Sequence, residues 1–262
     1  MTDASGAPAP DYGLDAPAVV RNLFLCAAAG LILFAGKALG LWSAALTLGP
    51  VRFELADMGL FAGSGCLAMD LWMLWSSKVG KIRRRETLLD RLTWTGRERV
   101  LDVGCGRGLM LVGAAKRLTT GKATGIDIWQ AEDLSGNRPE ATLENARREG
   151  VADRVEIKTA DMRQIPLPDG SIDTIVSCAA IHNIYAPAER AKALSEIARV
   201  LAPGGQVLLD DIRHADEYAA ALAAHGCTDV RRVDARAVSV FLALLTWGSL
   251  RPGTVVARKK LG

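Results

Sequence analysis

The stretch of this chain with the clearest chemical character is residues 100–108, Val-Leu-Asp-Val-Gly-Cys-Gly-Arg-Gly. An apolar strand that carries one acid, Asp102, runs into glycines at 104, 106 and 108. Glycine permits positive φ and has no Cβ, so this backbone can turn sharply and approach a ligand closely. A carboxylate in an apolar strand loses hydration and needs a partner, which favours a nucleotide-like ligand with a cationic or amine-bearing end.

The elements that position this loop follow from the pattern after residue 98, where short β-branched strands alternate with helical segments. This alternation predicts an α/β fold, a Rossmann-like doubly wound parallel sheet with a binding crevice outside the carboxyl ends of its strands. The predicted strands are 99–103, 123–127, 154–158, 172–177, 206–210, 227–233 and 253–258. The predicted helices lie near 108–118, 139–149, 188–201 and 215–225.

Residues at successive strand ends are the further binding candidates. Asp127 ends the second strand and suits the hydroxyls of a ribose. Asp161 ends the third and suits an adenine amino group, with Ile128 and Met162 as apolar walls, and Ser177 ends the fourth beside the same crevice. Each acid taken singly is equally well explained as a loop residue or helix cap, but their succession favours one shared site.

Two cofactor classes compete for this crevice. A dinucleotide fingerprint is Gly-x-Gly-x-x-Gly, whereas here the third glycine comes one residue early. The nearby Asp102 would also repel an anionic pyrophosphate. A cofactor with an amino acid tail and a sulfonium centre is therefore favoured, and an NAD-dependent oxidoreductase is the weaker alternative.

Residues 86–262 resemble the class I S-adenosylmethionine-dependent methyltransferases that act on small molecules, including those of ubiquinone and menaquinone synthesis. The resemblance rests on four motifs in order: 101–108, Asp127, the segment 160–173 with Ala-Asp-Met and Pro-Leu-Pro-Asp-Gly-Ser-Ile-Asp, and 196–205, Glu-Ile-Ala-Arg-Val-Leu-Ala-Pro-Gly-Gly. It implies a seven-stranded sheet whose last strand is antiparallel.

The resemblance also implies roles for individual residues, with S-adenosylmethionine as cofactor and S-adenosylhomocysteine as product. The methionine moiety would be held by Asp102 and the loop residues Gly104, Cys105, Gly106 and Gly108. Asp127 would hold the ribose and Asp161 the adenine. Arg107 departs from the small or polar residue common in the family, and either meets a carboxylate of the cofactor or acceptor or is an exposed loop arginine.

The candidate catalytic residue is His182, which follows the fourth strand in Ala-Ile-His-Asn-Ile. Histidine has an unperturbed pKa of about 6.5 and suits a general base for a hydroxyl or an acidic carbon. A structural histidine bonded to backbone is the alternative. Asn183 is a candidate for orienting the acceptor, and Asp210 and Asp211 are further candidates with capping as their other interpretation.

The first part of the chain carries two long apolar runs, Leu23–Leu48 and Leu55–Trp75, each long enough to cross a bilayer core of about 30 Å. A basic cluster follows Trp75, which places the catalytic domain and the amino terminus on the cytoplasmic side. Gly59 and Gly63 would let the two helices approach closely. The alternative is a pair of apolar helices packed on a soluble core.

The predicted domains are therefore a mobile tail at 1–20, a two-helix membrane hairpin at 21–77, a basic linker helix at 78–98 and the methyltransferase domain at 99–262. The linker helix is expected either along the membrane surface or packed on the next domain. The apolar segment 238–245 is expected to be a core helix or a membrane- or substrate-facing surface.

Composition excludes several classes of function. Five cysteines contain no Cys-x-x-Cys pair and only three histidines occur, so neither a metal site nor a disulfide framework is predicted. The net charge of +3 is too small to favour nucleic acid. The sequence thus predicts a membrane-anchored methyltransferase for a lipophilic small molecule such as a lipid or quinone, with a tethered S-adenosylmethionine-binding module without turnover as the alternative.

Overall fold

The computed structural model describes residues 9–42, 45–130, 132, 134–233, 240, 243, 244, 246 and 249–261. These residues form two compact units. The catalytic unit, as we name it, comprises the described residues up to Tyr12 together with 83–129 and those from 137 onward. The hairpin unit comprises 13–82 and 130–136.

The catalytic unit is built on a seven-stranded sheet in the order β5-β4-β3-β6-β7-β9-β8. The strand β9 runs antiparallel to the other six strands, which are parallel to one another. Its strands are β3 (Arg99–Val103), β4 (Lys122–Asp127), β5 (Val155–Thr159), β6 (Ile172–Cys178), β7 (Leu201–Asp211), β8 (Cys227–Arg232) and β9 (Gly253–Lys259). Its helices are α4 (Leu109–Ala115), α5 (Pro139–Arg148), α6 (Pro187–Val200) and α7 (Ala215–Ala224). The predicted fold class, strand number and antiparallel last strand are confirmed.

The strand β3 shows why this sequence makes a sheet covered on both faces. Leu101 and Val103 are buried in the core cluster that contains α6, whereas Val100 is buried in the cluster that contains α4. Side chains alternate between the two faces of a strand, so every apolar position of β3 finds a helix to pack against. Asp102 shares the face of Val100 and therefore points toward α4.

The order of the strands reverses at β3, which pairs with β4 on one side and β6 on the other. Loops at the carboxyl ends of β3 and β6 consequently meet at this switch point. A Cβ on Gly104, which has φ of 72°, would lie 2.3 Å from Ala180 Cβ. Ligands bind at such reversals in open α/β sheets.

The hairpin unit contains two long helices, α1 (Pro17–Ala38) and α2 (Leu55–Trp75), and between them the strands β1 (Ala45–Leu48) and β2 (Val51–Glu54). The helices approach each other at glycine, since a Cβ on Gly30 would lie 2.3 Å from the carbonyl oxygen of Gly59 and 3.0 Å from Gly63 Cα. The small-residue contact expected at Gly59 and Gly63 is thus present.

The first apolar run differs from its prediction as a single helix up to residue 48. Gly40 has φ of 70° and ends α1, as left-handed glycines commonly do at helix C-termini. Residues 45–48 instead pair with 51–54 across the Gly49-Pro50 turn. The helix itself is 22 residues long, so its length still suffices to cross a bilayer.

The amino-terminal tail and the linker also differ from expectation. Residues 1–8 of the tail lie outside the described residues, but Asp11 and Tyr12 make hydrogen bonds within the catalytic unit and α1 begins at Pro17. The linker region contains a π-helical turn at 76–80 and the short helix α3 (Lys81–Leu89). Most of the 238–245 segment lies outside the described residues.

Candidate functional site

Asp102 is buried near the end of β3, with only 1 % of its surface exposed. It accepts a hydrogen bond from the backbone N–H of Leu111 in the first turn of α4, while its Oδ2 has no partner within the described residues. Burial, with a smaller contribution from Asp127, raises the pKa of Asp102 to about 8. A buried carboxylate with a free oxygen is a place for a cationic ligand group.

The glycine loop that follows is fixed by its neighbours. The amides of Gly104 and Cys105 both donate to the Ile126 carbonyl, at 2.9 and 3.0 Å. Thr142 Oγ1 donates to the Gly106 carbonyl at 2.6 Å. The loop therefore has a rigid backbone before any ligand arrives, and its three glycines all have positive φ.

Asp127 joins this loop to the end of β4. Its Oδ2 accepts from the Gly106 amide at 2.8 Å, and its Oδ1 accepts from the Trp129 amide at 2.6 Å and from Asn137 Nδ2 at 3.3 Å. The carboxylate thus shapes the glycine loop as well as standing at the strand end. Two carboxylate oxygens carry about four acceptor positions, which leaves capacity for a ribose hydroxyl.

The residues predicted around the adenine lie at the same edge. Ile128 directly follows β4 and is 50 % exposed, as an apolar wall for a ring requires. Met162 Cε lies 3.4 Å from the position of a Cβ on Gly104, so Met162 borders the glycine loop. Asp161 Oδ1 accepts from both the backbone amide and Nε of Arg163, at 2.8 and 3.0 Å, and these bonds lower the pKa of Asp161.

Two predicted cofactor residues turn out to have structural side chains. The Ser177 hydroxyl is buried and donates to the Val103 carbonyl at 2.8 Å, so it ties β6 to β3 instead of facing the crevice. The Cys105 side chain is also buried, against Gly125 on β4. Only the backbone of Cys105 remains available to a ligand in the loop.

The predicted catalytic histidine has an acidic neighbour. His182 Nδ1 lies 2.6 Å from Asp211 Oδ1, although without the angular geometry of a hydrogen bond, and the His182 amide donates to Asp211 Oδ2 at 3.1 Å. Asp211 ends β7 and also accepts from the Tyr218 hydroxyl at 3.1 Å. Burial and the charge of Asp211 raise the pKa of Tyr218, which keeps it a donor.

Backbone strain is concentrated at this edge of the sheet. Trp129, Ala179 and His214 have φ of 63°, 52° and 65° and follow β4, β6 and β7 within three residues of each strand's end. Non-glycine residues avoid this region, and where the fold holds them in it they cluster at functional sites. These three residues with positive φ therefore lie at the same edge of the sheet as Asp127 and Asp211.

Two arginines near the strand ends are paired with acids of the protein, and of these sequence reasoning had considered only Arg107. Arg84 donates to both carboxylate oxygens of Asp210 at the end of β7, at 2.9 and 2.7 Å. Arg107 donates to the carboxylate of Asp11 at 2.8 Å, and Asn145 bridges the carbonyls of Asp11 and Arg107. Arg107 is therefore paired within the protein instead of being an exposed loop arginine, and no local pattern links either arginine to its acid.

Comparison with known proteins agrees with this geometry. Residues 101–209 match the family model described as a methyltransferase domain. Over 130 residues the chain is 35 % identical to "Methyltransferase GfsG" of Streptomyces halstedii, covering 50 % of this chain and 43 % of that protein. Over 126 residues it is 30 % identical to "Ubiquinone/menaquinone biosynthesis C-methyltransferase UbiE" of Geotalea daltonii, covering 48 % of this chain and 50 % of that one.

The chain thus spans half or less of the length of these curated relatives. Among solved structures, a SAM-dependent methyltransferase from Aquifex aeolicus superimposes with a TM-score of 0.50 at 22 % identity, covering 68 % of this chain and 97 % of that one. That likeness shows the fold, and the family match falls on the glycine loop and the strand-end acids. Residues 101–209 of this chain are thus similar to a methyltransferase domain, and the sheet around them has the fold of a SAM-dependent methyltransferase.

Proposed function

We propose that this chain is a membrane-anchored methyltransferase that transfers the methyl group of S-adenosylmethionine to a lipophilic small molecule. The observation that carries the proposal is the free, buried carboxylate oxygen of Asp102 beside a glycine loop. A dinucleotide brings only phosphate to such a loop, whereas an amino acid tail brings an ammonium.

The residues present fit this cofactor. Asp102 and the backbone of Gly104, Gly106 and Gly108 would hold the methionine end, Asp127 the ribose, and Asp161 with Ile128 and Met162 the adenine. When bound, the cofactor supplies a methyl group that its sulfonium already activates toward a nucleophile. The protein is left with alignment and the exclusion of water, and alignment alone contributes about 7–11 kcal/mol in well-oriented reactions.

We assign to His182 the role of general base, which removes a proton from the methyl acceptor. If the acceptor is a hydroxyl or an acidic carbon, Nε2 of His182 takes the proton while Asp211 lies beside Nδ1 and restricts the orientation of the ring. General base assistance of this kind contributes about 10²–10⁴-fold in rate. Asp211 acts through His182 and is a positioning residue.

Membrane anchoring is supported by the surface of the hairpin unit. Its α1 and the helix that begins at Leu55 are long and apolar enough to cross a membrane. Large apolar side chains lie exposed on both, with Ile32 at 61 %, Phe61 at 80 % and Trp72 at 62 %. Exposed apolar faces of this extent are typical of surfaces that contact lipid or another protein.

A lipophilic acceptor is supported by that anchor and by the likeness to a ubiquinone/menaquinone biosynthesis C-methyltransferase. An enzyme held at the bilayer meets substrates that partition into it. In this proposal the basic residues after Trp75 keep the catalytic unit and the amino terminus on the cytoplasmic side. Cysteine accessibility on either face of sealed vesicles tests this orientation.

The cofactor is tested by equilibrium binding of labelled S-adenosylmethionine to the full chain in lipid nanodiscs. We expect saturable binding that Asp127→Ala and Gly104→Val abolish, with no competition from NAD or NADP. Arg231→Gln, on the exposed part of β8, is the control and keeps full binding. Displacement of the label by NAD would contradict the assignment.

The second candidate function is a tethered S-adenosylmethionine-binding module without turnover, because one fold serves both binding and catalysis. Labelled-methyl transfer into a lipid extract separates the two. Label in an organic-soluble product, with S-adenosylhomocysteine formed in equal amount, supports the enzyme. Tight cofactor binding with no S-adenosylhomocysteine from any acceptor pool supports the module, and label only in water-soluble products excludes the lipophilic acceptor.

A further inference from the structure

A cavity of about 540 Å³ lies at the edge of the catalytic unit beyond β7, outside the residues assigned to the cofactor. Its wall begins at His214, three residues after Asp211, and includes Arg251, whose backbone amide donates to the Ile212 carbonyl at 2.8 Å. Asp211 is the partner of His182. The cavity therefore borders the segment that follows Asp211, the residue beside the candidate base His182.

The acids of this cavity are already neutralised. Asp216 accepts from Arg232 at 2.9 Å. Glu217 accepts from two guanidinium nitrogens of Arg190, at 3.0 and 2.8 Å. Each of the two carboxylates therefore has an arginine partner within the protein.

The cation that remains is Arg251. Within the part of the chain that the structure describes, its guanidinium has no hydrogen-bond or ion-pair partner. His214 also lines the cavity, and burial together with Arg190 lowers the pKa of His214, which favours its neutral form. A guanidinium with free donors is suited to binding a carboxylate or phosphate through two parallel hydrogen bonds.

Part of the lining is apolar. Val240, Ala243 and Leu244 contribute to it, and Leu244 is 76 % exposed. An apolar chain that covers an exposed leucine removes apolar surface from water, which favours binding. Among the described residues, the cavity thus combines one unpartnered positive charge with an apolar surface.

We propose that this cavity binds the methyl acceptor and that the acceptor is an anionic amphiphile, with its carboxylate or phosphate on Arg251 and its apolar chain against Leu244 and Val240. This inference rests on the proposed function and narrows its substrate class. A neutral quinone would leave Arg251 unused. A free phosphate ion would leave the apolar wall uncovered.

The test measures binding of octyl phosphate by calorimetry to the full chain in phosphatidylcholine nanodiscs saturated with S-adenosylhomocysteine, with empty nanodiscs as the blank. Octanol, octyltrimethylammonium and inorganic phosphate are the comparison probes. We expect octyl phosphate to bind at least tenfold more tightly than each of the three. This ranking separates an amphiphile from an anion or an apolar chain alone.

Two pairs of variants locate the contact. Arg251→Gln weakens octyl phosphate at least tenfold, while Arg231→Gln, which removes the same charge outside the cavity, leaves it unchanged. Leu244→Ser weakens it about fivefold, while Leu261→Ser, at a similarly exposed leucine outside the cavity, does not. Both changes are at exposed side chains, so S-adenosylhomocysteine affinity reports that each variant is folded.

The outcomes keep this inference apart from the proposed function. Equal binding of octyl phosphate to wild type and Arg251→Gln, or equal binding of octyltrimethylammonium, overturns the cavity assignment while the cofactor site stands. Equal binding of inorganic phosphate shows an anion site without a role for the apolar wall and also overturns it. A wild-type chain that fails to bind S-adenosylhomocysteine contradicts the proposed function itself.

Discussion

His182 and Asp211 form a close pair across two strand ends, with Nδ1 and Oδ1 2.6 Å apart, although 28 residues of helix and strand separate them along the chain. The pair arises because β6 and β7 are parallel neighbours, so the loop after β6 lies beside the last residue of β7. Asp211 is itself fixed by the Tyr218 hydroxyl and the Ile212 amide. The distance, though not the hydrogen-bond angle, is that between the carboxylate and the catalytic imidazole of a triad.

We predict that Asp211→Asn lowers the turnover number by about 10²-fold or more, since the loss of an orienting carboxylate leaves the imidazole misdirected. Cofactor affinity stays unchanged. Turnover is measured with the acceptor found in the lipid-extract assay.

Tyr218→Phe is the matched control for this change. It removes one hydrogen bond to Asp211 but keeps the carboxylate beside His182, so we expect less than a tenfold loss of turnover. An Asp211→Asn enzyme with wild-type turnover would show that the pair is structural only.

The second prediction concerns proton release on cofactor binding. With a pKa of about 8, Asp102 is protonated in the free protein at pH 6.5, whereas the complex pairs its carboxylate with an ammonium. Cofactor binding should then release about one proton. The affinity for the cofactor should rise by up to about tenfold per pH unit between pH 6 and 7. Calorimetry in buffers of different ionisation enthalpy measures the release directly.

The Asp102→Asn variant has two expected effects of opposite sign. It binds S-adenosylmethionine about 10- to 100-fold more weakly and without proton release, because a hydrogen bond to a charged group is lost. Without ligand it is more stable than wild type at pH 8, since a raised pKa means that ionising Asp102 costs stability as pH rises toward 8. An Asp102→Asn variant that is less stable than wild type at pH 8 would contradict the raised pKa of Asp102.

The third prediction concerns a buried ion pair. Glu149 accepts from Arg85 at 2.8 Å and both side chains are largely buried, at 8 % and 3 % exposure. Burial opposes ionisation, but hydrogen bonds from Arg85, Lys116 and Tyr12 prevail and lower the pKa of Glu149 to about 2. Glu149→Gln leaves Glu86, which is 42 % exposed, as the remaining acidic partner of the buried Arg85 charge, and should cost about 1–3 kcal/mol in urea unfolding.

The pH dependence follows from the sign of that shift. A lowered pKa stabilises the fold above about pH 4.5, and this stabilisation is lost as pH falls toward 2. Glu144→Gln is the control, since its pairs with Arg147 and Arg148 are on the surface of the same helix and contribute about 0–1 kcal/mol. Equal costs for the two variants would show that the Arg85 pair is no stronger than a surface pair.

The fourth prediction compares two glycines of the hairpin unit. Alanine at Gly30 would bring a Cβ within 2.3 Å of the Gly59 carbonyl oxygen, a backbone atom, whereas alanine at Gly65 meets nothing within 4 Å. Gly30→Ala should therefore cost about 1–3 kcal/mol by overpacking, and Gly65→Ala should stabilise α2 by up to about 1 kcal/mol. Hydrogen exchange of α1 amides, faster in the first variant only, measures the difference.

Much of the catalytic unit was predictable because its signals are local. The short apolar run in 99–103 and the glycines at 104, 106 and 108 specify a strand and the turn that follows it from neighbouring residues alone. The seven strands accordingly lie within a few residues of their predicted bounds, and only β7 begins appreciably earlier, at Leu201. Gly40 carried a similar local signal for the end of α1, although the apolar run around it pointed to a longer helix.

What the tertiary structure alone decided is the partner of each polar side chain. Arg84 and Arg85 appear in the sequence as one basic cluster, yet Arg84 meets Asp210, 126 residues away, and Arg85 meets Glu149, 64 residues away. Ser177 stands at a strand end like Asp127, yet its hydroxyl donates to the neighbouring strand. Local periodicity determines which residues form a strand and which face they share, but which strand ends become neighbours depends on the order of the whole sheet.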